Sequence, residues 1–317
     1  MRGFDFRLEK RHDPKPVRIP HPSDYPPRRA PRATARNTTL RRHPGLICAA
    51  ALACASGAAS RAHADSLVIP CTGPSGLLGL LDRPTVGDSS CVVPEGNVVA
   101  EAGFTLGRLS GMPGNIDTVP NLELRFGLAD NSELVWLPPN YQYLWSGPRA
   151  GLPAASQRGL GPTTLGIKHE IGFNAHWQWT AEALATLPSG DRQFGSHGLG
   201  GAVNGIVSYS SSGPLGISLM LGVTSQTDPA AAGGRRFQSV NPDLVVTWQS
   251  SARLQYYLEA YGQSHSDYGQ GWGSDADGGV QYLVTPRFEI DFEAGVRIQG
   301  SLGGFDHYAG AGIGVLF

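Results

Sequence analysis

From Asn97 to the end of the chain, apolar and polar positions alternate with a period of two. That period belongs to strands whose two faces meet different surroundings, not to helices. In 97–106, Val98, Ala100, Ala102, Phe104 and Leu106 oppose Glu101 and Thr105. In 177–187, Trp177, Trp179, Ala181, Ala183, Ala185 and Leu187 oppose Gln178, Thr180, Glu182 and Thr186. In 288–298, Phe288, Ile290, Phe292, Ala294, Val296 and Ile298 oppose Glu289, Asp291, Glu293 and Arg297. Similar segments lie near 121–128, 132–137, 163–171, 202–209, 215–223, 239–249, 252–262 and 276–284. With the terminal stretch Phe305–Phe317 the expected total is about 12 strands.

The connections between these segments alternate short and long. The short ones are 129–132, 173–176, 211–214, 250–253 and 284–287; the long ones are 107–119, 138–160, 188–200, 224–237, 263–274 and 300–304. A membrane barrel keeps this rhythm, with tight turns at one rim and long loops at the other. Outward-parity aromatics (Phe126, Trp177, Tyr209, Trp248, Tyr256, Tyr282, Phe288 and Phe317) gather beside the short connections, as an interfacial girdle does. The predicted fold is all-β: a transmembrane antiparallel β-barrel over 97–317.

The terminal strand fits this reading. Its last residues would leave an open apolar edge unless they pair with the first strand and close the barrel. Phe317 is then the expected targeting residue, read by the barrel-assembly machinery. Gly310, Gly312 and Gly314 on its inner face leave room there for the segment 65–96.

Composition adds the export route. Residues 1–64 carry 13 Lys/Arg and 4 Asp/Glu, whereas residues 65–317 carry 12 and 22. A basic leader on an acidic body argues for processing and against nucleic-acid binding by the body. Arg41-Arg42-His43, the apolar run Gly45–Ala59 and the Ala62-His63-Ala64 site read as a secretory signal within residues 1–64. A start placed upstream of the true one would explain the Arg/Pro-rich stretch before it, which is expected to be disordered. Cleavage removes Cys48 and Cys54, and the remaining pair, Cys71 and Cys91, reads as a disulfide closing a small loop in 65–96. Leu77, Leu78, Leu80 and Leu81 inside that loop need a cover, either the barrel mouth or the membrane surface. The expected address is the outer membrane of a Gram-negative bacterium. The expected partners are its lipid, the barrel-assembly machinery and a small-molecule solute. No cofactor, catalytic or metal site is expected.

The inward set contains Glu101, Glu123, Arg125, Lys168, Glu170, Glu182, Asp243, Glu259, Glu289, Asp291, Glu293 and Arg297. Two readings stand: these charges line a wet pathway, or they pair inside the barrel and hold its wall in shape. Tyr141, Tyr143 and Trp145 in the longest predicted loop, with Tyr257, Tyr261 and Trp272, make a candidate aromatic entry site. A barrel hydrolase would need His265 with Asp267 and Asp275, or His197 with Asp191 and Ser196. A structural or adhesive barrel without transport is the other alternative.

Several stretches carry a family likeness. They are the Cys71…Cys91 preface, Asn121-Leu-Glu-Leu-Arg-Phe-Gly-Leu-Ala-Asp-Asn-Ser-Glu-Leu134, Gly161-Pro-Thr-Thr-Leu-Gly-Ile-Lys-His169 and Ala183-Leu-Ala-Thr-Leu-Pro-Ser-Gly-Asp191. With these the chain resembles the outer-membrane transporter family of meta-pathway phenol-degradation proteins, distantly fatty-acid-channel-like β-barrels. The resemblance spans roughly Cys71 to Phe317. It implies a channel or transporter for small, apolar or aromatic compounds.

Overall fold

A computed structural model describes residues 71–317 apart from 112, 130, 149–152 and 301. The predicted signal region and its expected cleavage site lie outside the described residues. Twelve antiparallel strands form the wall. In chain order they are β1 (Val98–Leu109), β3 (Glu123–Leu128), β4 (Ser132–Leu137), β7 (Thr164–Phe173), β8 (Trp177–Thr186) and β9 (Gly200–Ser210). They continue with β10 (Leu215–Thr227), β11 (Arg236–Ser251), β12 (Leu254–Gln263), β13 (Gly273–Thr285), β14 (Phe288–Gln299) and β15 (Phe305–Leu316). The first and last strands pair from Val99↔Leu316 to Leu109↔Phe305, so the sheet closes on itself. Phe317 extends the seam, its N–H donating to the Val98 carbonyl at 2.8 Å.

No described helix is long and apolar enough to cross a membrane. The crossing elements are strands, whose backbone groups are satisfied by neighbours all the way round. Their outer face is a band of exposed Leu, Ile, Val and aromatic side chains, including Ile171, Leu219, Leu221, Leu258, Phe292 and Ile313. Their inner face buries charge. This inversion of an ordinary core identifies a transmembrane barrel.

Turns of two to four residues (129–131, 174–176, 211–214, 252–253 and 286–287) occupy one rim, as the pattern predicts. The girdle stands beside them. Trp177 and Tyr209 pair across β8 and β9 with ring centroids 5.0 Å apart, and Trp248 lies opposite Tyr256.

The long-loop rim differs from expectation in one sector. Residues 138–160 are not a loop. They contain the hairpin β5 (Tyr141–Ser146) and β6 (Ala155–Leu160), and 107–119 contains the end of β1 and β2 (Gly114–Val119). These three short strands continue β3, β4 and β7 beyond the wall in the order β1-β2-β5-β6. Each junction carries proline: Pro120, Pro138-Pro139 and Pro162. Proline cannot donate to a ladder, so it interrupts the hydrogen bonding without turning the chain away.

The segment 71–96 lies inside the barrel. Cys71 and Cys91 are disulfide-bonded, with Cα atoms 5.9 Å apart. Between them the short helix α1 (Gly76–Leu80) and Leu81 bury Leu77, Leu78, Leu80 and Leu81 against Cys91, Val93, Val99 and Leu283. Of the two covers considered for these leucines, the structure chooses the barrel interior near the short-turn rim. Ser75 Oγ donates to the Ala252 carbonyl of a short turn at 2.7 Å, fixing that end.

Candidate functional site

The site is the lumen with this segment as its plug. The glycines of β15 make the fit possible. A methyl at Gly314 would lie 2.5 Å from Leu81 Cδ2, and one at Gly312 2.5 Å from Arg83 Nε. Across the seam, a methyl at Gly103 would lie 2.5 Å from Arg83 Cζ. The inner face of the seam is bare because plug side chains occupy it.

One side of the lumen is a charge clamp built on β1, β3, β4 and β7. Arg125, fully buried, reaches Asp82 at 3.1 Å, Glu101 at 3.0 Å and Glu133 at 3.2 Å, with Glu123 at 3.9 Å. Its guanidinium also donates to the Leu80 carbonyl. Lys168 lies 3.1 Å from Asp82 and 3.7 Å from Glu133. Glu101 accepts the backbone N–H groups of Asp82 at 3.2 Å and Arg83 at 2.6 Å, and Glu133 accepts that of Val93 at 2.6 Å. The wall thus grips plug side chains and plug backbone together. Burial pushes the Asp82 carboxyl up, but Arg125, Lys168 and the Ser89 N–H outweigh it and hold the group below the usual carboxylate range. Carboxylate oxygens of Asp82, Glu101 and Glu123 come within 4.8 Å of one another, a spacing that suits a metal. Arg125 binds all three, so the cluster reads as an ion-pair network.

The other side, β11 to β14, is an acid wall. Asp243, Glu259, Asp275, Asp277, Glu289, Asp291 and Glu293 are all buried on it. Arg83 of the plug answers two of them, Asp291 at 3.2 Å and Glu293 at 3.6 Å. Burial penalises the Arg83 guanidinium, yet Asp291 and Glu293 raise its pKa and keep it charged. Glu259 accepts the N–H groups of Val86 at 3.0 Å and Gly87 at 2.7 Å, so here the wall holds the plug by its backbone.

Between plug and wall, on the β8 to β13 side, lies a chamber of about 630 Å³ near the short-turn rim. Its polar lining is neutral apart from Arg83 and His176, and includes Gln178, Ser208, Ser218, Thr247, Gln255 and Gln281. The disulfide, Leu78 and Leu81 form its plug side, and Thr85 and Gly87 also line it. Val86, between those two, is half exposed.

The predicted inward charges all fall on the inner face. Beyond the clamp and acid wall, Glu170 accepts from Gln178 at 2.5 Å and Glu182 from Asn204 at 2.8 Å. Arg297 sits higher, bonded to Ser110 and Asp306. The pattern missed Asp82 and Arg83, which lie outside the strands, and it missed Glu133, Asp275 and Asp277. Glu133 alternates with Leu134 and was readable. Asp275 precedes the predicted start of its strand.

The six candidate entry aromatics do not converge. Tyr143 lies opposite Asp117, which lies opposite Leu106, so Tyr141, Tyr143 and Trp145 share the outer face of β1. Trp272 packs over outward Gly262, whose added methyl would lie 2.7 Å from its ring. Tyr257 and Tyr261 face the lumen, Tyr257 nearly fully buried. A single entry site from these residues is therefore corrected. Of the hydrolase sets, Asp191 accepts the Leu160 N–H at 2.7 Å, and Ser196 donates to the Gly198 carbonyl at 2.8 Å. His265 and Asp267 line an open outer cleft of about 840 Å³ that Asp275 does not join.

The fold and site define a plugged transmembrane β-barrel of outer-membrane type. The chain belongs to the family described as "Putative MetA-pathway of phenol degradation", whose model matches residues 81–312. A comparison with curated proteins finds no match. Among solved structures, the NanC porin is 14% identical, with a TM-score of 0.44 and coverage of 69% of this chain and 98% of that one. The KdgM porin is 10% identical, with a TM-score of 0.43 and coverage of 68% and 99%. The translocator domain of the autotransporter NalP from Neisseria meningitidis is 11% identical, with a TM-score of 0.40 and coverage of 70% and 88%. These likenesses are slight, and the fold rests on the closed ladder itself.

Proposed function

We propose that this protein is an outer-membrane channel of a Gram-negative bacterium, exported by its leader, with the short-turn rim facing the periplasm. The observation that carries this reading is the chamber between plug and wall, whose volume lies in the range of small-molecule sites. Its lining of amides and hydroxyls suits solutes that form hydrogen bonds. The acid wall beside it disfavours anions. The same lining includes Leu78, Leu81, Trp177, Ile217 and Val245 beside these polar groups, so a small amphiphilic solute, a hydroxylated aromatic compound or an organic cation, fits it. The family description, which names phenol degradation, agrees with the first of these. The proposed partners are this solute, the membrane lipid around the girdle and the barrel-assembly machinery reading the strand that ends in Phe317.

A second reading, a closed structural barrel, is favoured by the grip of both walls on the plug. Liposome swelling and planar-bilayer conductance with the purified protein decide between them. Flux of small neutral hydroxylated solutes is expected. No flux of any small solute would leave the structural reading.

A further inference from the structure

We propose that the cleft on the outer face of the long-loop rim binds a phosphate-bearing lipid headgroup from the leaflet around it. Arg236, Phe237, Gln238, His265 and Tyr268 line this space of about 840 Å³. Its place in the fold follows from the ladder. β10 and β11 pair without a shift of register from Leu215↔Trp248 to Thr227↔Arg236. Arg236 and Gln238 therefore share the lipid-facing side of β11 with exposed Val240, Leu244 and Trp248. Arg236 lies 12 residues beyond Trp248 of the girdle. At the rise of a tilted barrel strand that is roughly 30 Å, the thickness of a hydrocarbon core. The cleft thus stands where the apolar band ends and headgroups begin.

The charge there is cationic and held in place. Among the described residues, every ion pair belongs to Arg83, Arg125, Lys168 or Arg297, so Arg235 and Arg236 have none. Arg236 donates to the Ser225 hydroxyl at 2.9 Å and to the Leu199 carbonyl at 2.6 Å. Both acceptors are neutral, so these bonds fix the guanidinium without cancelling its charge and leave further N–H groups for an anion. Arg235 stacks over the Tyr268 ring, 4.2 Å from its centroid. The carboxylates nearby are engaged. Asp267, which also lines the cleft, accepts the Gln270 N–H at 3.2 Å, and buried Asp228 accepts the Tyr268 N–H at 3.3 Å. A planar guanidinium held beside aromatic rings is suited to phosphate oxygens. A soluble anion makes no use of the apolar band that continues from the cleft. A lipid does, because its acyl chains lie along Val240 and Leu244 while its headgroup meets Arg236. The site needs only the barrel in its membrane and is independent of whether the lumen conducts.

The test is native mass spectrometry of the folded full barrel, released from detergent with either phosphatidylglycerol or phosphatidylcholine added. Wild type is expected to retain phosphatidylglycerol in preference to phosphatidylcholine. Arg235→Gln with Arg236→Gln should weaken that binding at least about ten-fold, the size of one lost charge-assisted hydrogen bond. Arg108→Gln with Arg158→Gln removes the same charge from another exposed sector of the outer face and should leave the binding in place. If the first pair fails the heat-shift gel test for folding, Arg235→Gln with His265→Gln takes its place. No preference for the anionic lipid, or equal losses in both double variants, would overturn the site. Displacement of the lipid by inorganic phosphate would overturn it too, since the cleft would then be a site for soluble anions.

Discussion

The clamp wall and the acid wall hold the same plug by opposite means. On β1, β3, β4 and β7, two fully buried cations sit among carboxylates from both partners. On β11 to β14, carboxylates outnumber cations, and the plug is held through backbone N–H groups and one arginine of its own. The first wall is a closed ion network, in which removing one member strands the others. The second is open: Arg83 pairs with only two of its seven buried carboxylates. The chamber lies on the less constrained side, so under the proposed channel reading anchoring and passage fall to opposite sides of one lumen.

The comparison can be broken most directly at Arg125. Arg125→Met strands Asp82, Glu101 and Glu133 in the interior, and a loss of about 3–5 kcal/mol in unfolding free energy is expected. Urea titration followed by heat-shift mobility on a gel measures it. Glu289→Gln on the acid wall should leave stability unchanged or raise it; an equal loss at both sites would erase the distinction between the walls. A smaller effect is expected at the seam. Gly314→Val drives a side chain into Leu81, costing about 1–3 kcal/mol of overpacking. The plug then sits less tightly, so the variant should also conduct more than wild type in a bilayer.

The smallest effect is in pH. Asp82 is held below its usual range, so its contribution is present at neutral pH and fades as pH falls below the ordinary carboxylate value of 3.8. Asp88 behaves oppositely: burial, then Glu182 and Asp82, push it well above that value. Its contribution is present in acid and is lost as pH rises through the elevated pKa. Asp88→Asn should therefore stabilise the barrel at neutral pH, gain nothing in acid and flatten the stability profile between them. An unaltered profile would show that Asp88 is not desolvated as its surroundings imply.

Most of the wall was legible because a barrel repeats one rule. Every strand of β8 to β15 alternates lipid-facing and lumen-facing residues, and parity alone put Glu182, Glu259, Asp291 and Glu293 inside. The plug obeys no such period. Nothing local in Asp82-Arg83 announces that one residue pairs with Lys168 and the other with Asp291, contacts 86 and 208 residues away. The strands beyond Pro138 were misread for a different reason. The Pro138-Pro139 pair interrupts the pattern, although Tyr141, Tyr143 and Trp145 resume the alternation. The aromatic entry site failed with it, since residues assigned to a loop had no parity to place them. The glycines of β15 were the exception, a gap in the wall that announced a guest.

That gap bears on the order of assembly. The plug precedes β1 directly in the chain and is synthesised before any strand of the wall. Leu81 and Arg83 supply the inner packing of the joint where the last strand meets the first. A sheet that zipped shut without them would close around a groove and a set of stranded charges. The segment behaves as a keystone rather than a cork, placed before the arch is completed and bearing on its final joint. Closure and plug docking then become one cooperative event, and a barrel stripped of residues 71–96 should fail at its last step.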